Sequence, residues 1–294
     1  MTFFASLLIT GLMTGAIYAL VALGFVLVYK ATGVINFAQG EFMMFGAFIA
    51  AALLTDRSLP AIVAIPITMV VMAGLGLVTE RVVLRPMIGR PAIGMIMATV
   101  GLAFVFRGLA PMLWGGTTKN LSLPLPETPI RILDVSLNPT VLAGAVAALL
   151  LVGGFALLFQ RSRIGIALRA VADDTQAAMA MGISVPWAFG TAMAVSGVAA
   201  AAGGLIWGDL LGVDSYLALV GFKVFPVVIL GGLDSVGGAV LGGLVVGAVE
   251  SVAAGYIDPR VGGGTKDFVP FLLMLVVLMA RPHGFFGKEV IERV

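Results

Sequence analysis

Long apolar runs make up most of this chain, and they decide what it can fold into. A helix that crosses the hydrocarbon core of a bilayer needs about 20 consecutive apolar residues. Six runs reach or approach that length, and three shorter ones follow them toward the C-terminus. In order, they cover residues 3–29, 38–54, 61–83, 92–113, 140–159 and 187–207, then 217–230, 238–252 and 268–280. We therefore predict an all-α, polytopic integral membrane protein with eight or nine transmembrane helices, forming a single domain over residues 1–294.

The composition excludes several other classes of protein. With 60% hydrophobic and 11% charged residues, a soluble domain would have to expose large apolar surfaces. The 39 glycines are explained by close helix packing in lipid, where small residues let backbones approach each other. Because the chain has no cysteine and a single histidine, His283, we predict no disulfide, no metal centre and no cofactor. The first apolar run is longer than a signal-peptide core, so we predict a retained helix.

The distribution of charge predicts how the chain crosses the membrane. Three segments are rich in basic residues, as cytoplasmic segments are. They contain Arg81, Arg85 and Arg90; Arg161, Arg163 and Arg169; and Arg281, Lys288 and Arg293. The alternating loops have balanced charge and are assigned to the outside, so nine spans place the N-terminus outside and the C-terminus in the cytoplasm. The net charge of +2 follows from this topology, and we predict no nucleic-acid partner.

A long polar segment, residues 161–186, interrupts the apolar runs near the middle of the chain. A cluster of Ser, Asp and Thr precedes residues 176–181 and can cap a short helix, which Gly182 and Pro186 then end. The basic residues assign this segment to the cytoplasm. We therefore predict a short, capped helix held outside the bilayer.

A polar block around Asn36 separates the first two spans and is too short for an ordinary surface loop. Irregular backbone at membrane depth is tolerated only where it is buried in protein or lines a cavity, and transporters use broken helices in this way. We predict a broken helix near residues 33–41, in which Asn36, Gln39 and Gly40 line or gate a pathway. The alternative is a cytoplasmic turn in which Asn36 caps the second helix.

A glycine-rich block predicts a second broken helix near residues 231–238. Gly231, Gly232 and Asp234 lie in it, and Asp234 with Ser235 can cap the helix that follows. We predict that this block faces the first break and forms the other wall of the pathway. It is not a nucleotide-binding loop, because it lacks the required lysine followed by Ser or Thr.

The other charges in or near the spans are interpreted structurally. Glu41 would lie in the first turn of a helix, where the helix dipole favours a carboxylate, and Arg107 would reach toward the outer surface. Lys223, Asp209, Asp214 and Glu250 fall near the predicted outer ends of spans, and we interpret them as interfacial anchors. The proline-rich segment 114–138 is predicted to be external, either as a stiff connector or as a contact for an outside partner.

The sequence contains no pattern that predicts an enzyme. There is neither a His-Glu-x-x-His zinc motif nor a Gly-x-Ser-x-Gly nucleophile motif. A transporter subunit that does not itself hydrolyse ATP is the remaining interpretation.

Four stretches of this sequence carry a resemblance to a known family. They are residues 15–41, which include Thr32-Gly33-Val34-Ile35-Asn36-Phe37-Ala38-Gln39-Gly40-Glu41; residues 163–183; residues 230–233; and residues 281–287. Together they span nearly the whole chain, and it resembles the permease subunits of the branched-chain amino acid ABC importer family, of the LivH type. The stretch 173–182 is only similar to the wider coupling motif of such importers.

The resemblance implies a permease that pairs with a second, related permease, as a heterodimer rather than a homodimer. It also implies two cytoplasmic ATPases, an external solute-binding protein, and leucine, isoleucine or valine as substrates. Residues 161–186 would be the loop that couples the permease to an ATPase. The predicted contact residues are Arg169, Asp173, Asp174, Ala177, Ala178 and Gly182.

Three alternatives stay open on the sequence. Relatives within the ABC class handle small amides such as urea, or sugars. A passive channel would need neither an external binder nor a coupling helix. An ion-coupled secondary carrier predicts buried, paired charges near the middle of the membrane, and the mid-span stretches defined above contain almost none.

Overall fold

The computed structural model describes residues 2–126, 128–132, 135–281 and 284–287, and most of them are helical. The helices are α1 (Thr2–Thr32), α2 (Gln39–Ala51), α3 (Ala61–Thr79), α4 (Ala92–Trp114), α5 (Pro139–Arg161), α6 (Arg163–Asp173), α7 (Thr175–Ala180), α8 (Val185–Leu211), α9 (Leu219–Gly231), α10 (Val236–Val261) and α11 (Thr265–Ala280). A π-helical turn, Ala52–Asp56, extends α2, and turns at Glu80–Leu84 and Arg85–Met87 extend α3. A 3₁₀ turn, Ser215–Ala218, precedes α9, and β1 (Ile130–Ile132) pairs antiparallel with β2 (Val135–Leu137).

The predicted fold class is confirmed. Within the described residues, α1, α3, α4, α5, α8 and α10 are long and apolar enough to cross a membrane, and α2, α9 and α11 are shorter apolar helices. One apolar run, 238–252, was predicted too short at its C-terminal end. The helix α10 continues to Val261 instead of residue 252, because alanines follow Val252 and the first left-handed glycine comes at Gly262.

The centre of the bundle is formed by α1 and α8. Both helices are buried over most of their length, whereas α3, α4 and α5 are largely exposed. The helix α1 packs against α10, α8 and α5, and α8 packs against α3 and α2. The exposed faces of the outer helices are apolar, as lipid or a partner subunit requires.

Glycines bring α1 and α10 into backbone contact. Gly11 and Gly15 on α1 face Gly247 and Gly243 on α10, and a Cβ on any of them would overlap the backbone of the other helix. The two helices run antiparallel, since Gly11 meets Gly247 while Gly15 meets Gly243. The predicted role of glycines in close packing is therefore present at this interface.

The two ends of the bundle differ in what they carry. At one end, the loop after α1, the helices α6 and α7, and the loop between α9 and α10 line a common cavity. At the other end, the segment after α4 is held by Asp56, Asp209 and Asp214. Their carboxylates accept hydrogen bonds from Lys119 Nζ, the Leu123 amide and Thr118 Oγ1.

The second of these ends is the one predicted to be external. Residues 118–123 of this segment are thus held by side-chain contacts, and the backbone of Lys119 also pairs with that of Val213. Glu127 and Asp134, two of the charges in the loops assigned to the outside, lie outside the described residues, as do His283, Lys288 and Arg293. The C-terminal tail used for the topology prediction belongs largely to that part of the chain.

We predict that Gly15→Ala destabilises the folded protein by about 1–3 kcal/mol, because the added methyl group overpacks a backbone contact. The measurement is the unfolding temperature of the detergent-solubilised protein. Gly153→Ala on α5 is the matched control, since a Cβ there meets no atom within 4 Å. Equal unfolding temperatures for the two variants would contradict this packing argument.

Candidate functional site

The chain leaves helical structure between α1 and α2 and turns back into the bundle. Although α1 ends at Thr32, the Gln39 side chain at the start of α2 lies against Gly24, where a Cβ would overlap its amide. Gly24 precedes the end of α1 by eight residues (32 − 24), which is about 12 Å of helix. The helix α2 therefore begins inside the bundle, as the broken-helix prediction requires.

A hydrogen-bond network anchors the start of α2 to α8. Ser196 Oγ donates to Gln39 Oε1 at 2.7 Å, and Gln39 Nε2 donates to the Ser196 carbonyl oxygen at 3.3 Å. Asn36 Nδ2 also donates to Gln39 Oε1, at 3.4 Å, and Asn36 Oδ1 accepts from the Ala38 amide at 3.1 Å. Asn36 and Gln39 are both buried. These contacts satisfy polar groups that have no access to water at this depth.

The capping alternative for Asn36 is not met in its simple form, and its pathway role stays a prediction. Asn36 Oδ1 accepts from the Ala38 amide just before α2, whereas α2 itself, with Ala38 as its N-cap, has no side-chain cap. The segment is nevertheless buried in the bundle and is not a surface turn. One further contact ties it to α4, because Thr99 Oγ1 accepts from the Phe37 amide at 3.3 Å.

Gly40 sets the contact between α2 and α9. A Cβ on Gly40 would overlap the carbonyl oxygen of Ala218, and a Cβ on Gly221 would overlap the Cα of Gly40. Only glycine at both positions lets the two backbones approach this closely. The start of α2 is thus held on one side by α8 and on the other by α9.

The glycine-rich block forms the connection between α9 and α10. Gly231 packs against the backbone of Gly238, and Gly232 ends α9 with a φ of +97°. Ser235 Oγ accepts from the Gly238 amide at 3.0 Å and so caps α10; of the two residues predicted to cap this helix, Ser235 makes the bond. Asp234 lies on a cavity of about 470 Å³ together with Gly33, so the two interruptions do meet at this end of the bundle.

The polar segment 161–186 folds into two helices where the sequence analysis predicted one. Ser162 caps α6, Asp174 caps α7 and Ser184 caps α8. Asp174 Oδ1 accepts from the amides of Gln176 and Ala177 at 2.8 and 2.9 Å. The additional helix, α6, arises because residues 163–173 combine a strong apolar side with exposed polar residues. Each of the helices α6, α7 and α8 thus begins at a side-chain cap.

The six predicted coupling residues occupy different environments. Ala178 is buried against the core, whereas Ala177 is exposed. Gly182 has a φ of +81°, which a residue with a side chain adopts only with strain. Arg169 and Asp173 line the same cavity as Asp234, and Asp174 is the cap of α7. The apolar side chains that α7 and the following turn present outward are Met179 and Met181, 54% and 84% exposed.

The sequence analysis missed two contacts of buried carboxylates within the spans. Arg107, whose side chain is 36% exposed, bonds through Nη2 to the buried Glu41 Oε1 at 2.6 Å. Glu250 is not an interfacial anchor: it is 5% exposed and accepts a hydrogen bond from Tyr18 Oη at 3.3 Å. In each case the partners are distant in sequence, so no local pattern predicted the contact. The spans therefore contain one carboxylate–arginine pair and one carboxylate–tyrosine contact that the sequence analysis did not predict.

Comparisons with known proteins agree on one family. Residues 7–278 match the family described as "Branched-chain amino acid transport system / permease component". The chain is 31% identical to BraD of Pseudomonas aeruginosa, a high-affinity branched-chain amino acid transport system permease protein, covering 98% of this chain and 97% of BraD. It is 27% identical to LivH of Escherichia coli K12, over 99% and 98% of the two chains. It is 30% identical to the probable LivH permease of Methanocaldococcus jannaschii, over 92% and 88%.

Among solved structures, the chain matches "PsaBC from Streptococcus pneumoniae in complex with Fab" with a TM-score of 0.46 and 14% identity. The match covers 92% of this chain and 90% of the other. So distant a likeness supports no conclusion about this chain.

We predict that Gln39→Met destabilises the protein, because the buried Ser196 hydroxyl and Asn36 amide lose their shared acceptor, at a cost of about 1–3 kcal/mol. Methionine keeps the length of the side chain, so the change tests the hydrogen bonds more than the packing. The measurement is again the unfolding temperature in detergent. Gln160→Met, at an exposed position of α5, is the control, and an equal effect at both positions would refute a special role for the network.

Proposed function

The chain belongs to the family of branched-chain amino acid transport system permease components, and from this we propose that it is the membrane-spanning permease subunit of an ABC importer. It carries leucine, isoleucine, valine or related amino acids into the cytoplasm. Separate ATPase subunits hydrolyse ATP, and the chain itself is not an enzyme. The observation that supports this best is the capped pair α6–α7, which offers an exposed contact surface outside the spans in a chain of this family.

In this proposal, α7 contacts an ATPase. The buried Ala178 lets α7 sit close to the bundle, and the cap at Asp174 and the left-handed Gly182 fix both of its ends. Ala177, with the neighbouring Met179 and Met181, forms the docking surface. A rigid segment of this kind can pass a movement of the ATPases to the spans, because a packed structure shifts as a body.

Arg169 and Asp173 connect this contact to the proposed pathway. They line the cavity that also contains Asp234, next to the end of α9 at Gly231 and Gly232. We propose that the substrate leaves the permease through this region. Asn36, Gln39 and Gly40 define the deeper part of the pathway by fixing where α2 begins.

The proposed assembly contains a second, homologous permease, two cytoplasmic ATPases and an extracytoplasmic solute-binding protein. A heterodimer of permeases is favoured over a homodimer by the resemblance of the sequence. Support for a partner in the membrane comes from α4, where Arg107 has 36% of its side chain exposed within a span. Exposure of an arginine to lipid at that depth is costly.

We propose that the protein is a multi-pass protein of the bacterial inner membrane, with the N-terminus outside and the C-terminus in the cytoplasm. The described basic residues support this orientation. Arg163 and Arg169 lie on α6, and Arg85 lies at the end of α3, all at the end of the bundle that carries α7. The positive-inside rule assigns that end to the cytoplasm.

An ion-coupled carrier is the second candidate, favoured by the buried contacts Glu41–Arg107 and Tyr18–Glu250. Reconstitution in vesicles separates the two candidates. The importer proposal predicts uptake of radiolabelled leucine that requires internal ATP, the ATPases and the solute-binding protein. Uptake that continues without ATP and stops when the ion gradients are dissipated would replace the proposal with the carrier. ATP-driven uptake of urea or a sugar in place of leucine would change the substrate and keep the class.

We predict that the double change Met179→Glu and Met181→Glu abolishes substrate-stimulated ATP hydrolysis, since it places two charges in an apolar docking surface. Losing anchors of such a surface costs about 2–4 kcal/mol, which corresponds to at least about a 30-fold weaker contact with the ATPase. The control is Gln160→Glu, which places a charge at an exposed position of α5 outside the proposed docking surface. Binding of the solute-binding protein should be unchanged in both variants. Unaltered ATPase stimulation in the double variant would rule out α7 as the coupling contact.

A further inference from the structure

Two Glu–Arg pairs in this chain differ in a way that indicates a binding site. Glu80 and Arg85 form a two-point contact, with Oε1 to Nε at 3.0 Å and Oε2 to Nη2 at 2.9 Å. Glu41 and Arg107 are joined only through Oε1 and Nη2. Within the described part of the chain, Glu41 Oε2 and Arg107 Nε are buried and have no hydrogen-bond partner. In the Glu80–Arg85 pair both carboxylate oxygens thus accept a hydrogen bond. In the Glu41–Arg107 pair one carboxylate oxygen and one guanidinium nitrogen have no partner.

The Glu41–Arg107 pair lies deep in the membrane region. Glu41 is 1% exposed and sits two residues after Gln39, which is level with Gly24. Arg107 precedes the end of α4 at Trp114 by seven residues (114 − 107), or about 10 Å of helix. Buried charges with unmet hydrogen bonds are costly there and mark functional sites more often than structural ones.

A cavity of about 160 Å³ adjoins the pair. Apart from Glu41 and Arg107, its walls are the apolar residues Phe37, Val100, Ala103, Phe104 and Phe222. One water molecule takes up about 30 Å³ in the liquid, so a single bridging water would leave most of this space empty. A neighbouring, smaller cavity shares Phe37 and Phe222 and continues to Gly40, a residue of the proposed pathway.

We propose that this cavity is a substrate-recognition site for a zwitterionic α-amino acid with an apolar side chain. The ligand's ammonium group donates to the Glu41 carboxylate, its carboxylate accepts from the Arg107 guanidinium, and its side chain occupies the space among the phenylalanines. Charge-assisted hydrogen bonds of these two kinds are roughly twice as strong as hydrogen bonds between neutral groups. The ligand adds no net charge to the pair, and the apolar wall disfavours urea, which has no apolar part.

This inference rests on the proposed function and adds to it. It assigns part of the selectivity to the permease itself, through Glu41 for the ammonium group and Arg107 for the carboxylate. The hydrogen bonds of Asn36 and Gln39 then position Glu41, because they set the register at which α2 begins.

The test uses the complete permease–ATPase complex without the solute-binding protein and measures equilibrium binding of tritiated leucine. Competition is measured with 4-methylpentanoate, which lacks the ammonium group, with 3-methylbutylamine, which lacks the carboxylate, and with urea. The wild-type complex should bind leucine and exclude all three. Glu41→Gln should weaken leucine binding at least about tenfold, as expected for a lost hydrogen bond to a charged group, and should let 4-methylpentanoate compete. Arg107→Gln should have the same effect on leucine and admit 3-methylbutylamine.

Glu80→Gln is the matched control, since it removes a buried carboxylate paired with arginine far from the cavity. If Glu41→Gln and Arg107→Gln bind leucine within about twofold of this control, the inference is overturned. The pair then holds only an ordered water. If either variant fails to assemble, Ala103→Leu decides the question. It should fill the cavity and weaken leucine binding at least about tenfold while leaving alanine binding nearly unchanged, and equal binding of both amino acids would overturn the inference.

The same complex distinguishes this inference from the proposed function. ATP-driven leucine uptake in the presence of the solute-binding protein, but no leucine binding without it, would overturn the recognition site and leave the importer standing. Leucine binding with the predicted variant pattern, but no ATP-driven uptake, would support the site and overturn the importer.

Discussion

The hydrogen bonds between Gln39 and Ser196 are the contact on which the rest of this structure depends. A backbone that leaves helical structure inside a membrane has no water to satisfy it, so its polar groups must find partners in the protein. Here the α1–α2 connection finds them on α8, with Asn36 adding a third contact. Because this point is anchored, α2 begins deep in the bundle, and everything on its first turn is placed at that depth.

Close backbone packing makes that anchoring possible. Gly24 leaves room for the Gln39 side chain against α1, and Gly40 lets α2 touch α9. The same device joins α1 to α10 through Gly15 and Gly243. In lipid, helices gain little from burying apolar side chains against each other, so contact distance and shape contribute most of the association.

One end of the molecule connects the proposed ATPase contact on α7 with the proposed recognition site at Glu41. The cavity at that end is lined by Gly33, where the α1–α2 connection begins, by Asp234, and by four residues of α6, of which Arg169 and Asp173 are charged. A movement of α6–α7 relative to the bundle would change this cavity directly. The proposed recognition site at Glu41 lies one short segment away, on the helix that the Gln39 network holds in place.

The sequence by itself determined the class of fold, the number and order of apolar helices, and one capped helix, α7, in the central polar segment. These depend on local properties: the length of apolar runs, the oxygen-bearing residues before a helix, and the glycines after it. Only the tertiary structure decided that Arg107 pairs with Glu41, that Glu250 is buried against Tyr18, and that Ala178 is covered while Ala177 is not. Such contacts join residues far apart in the chain, or depend on which side of a helix meets a neighbour, and no local pattern contains that information.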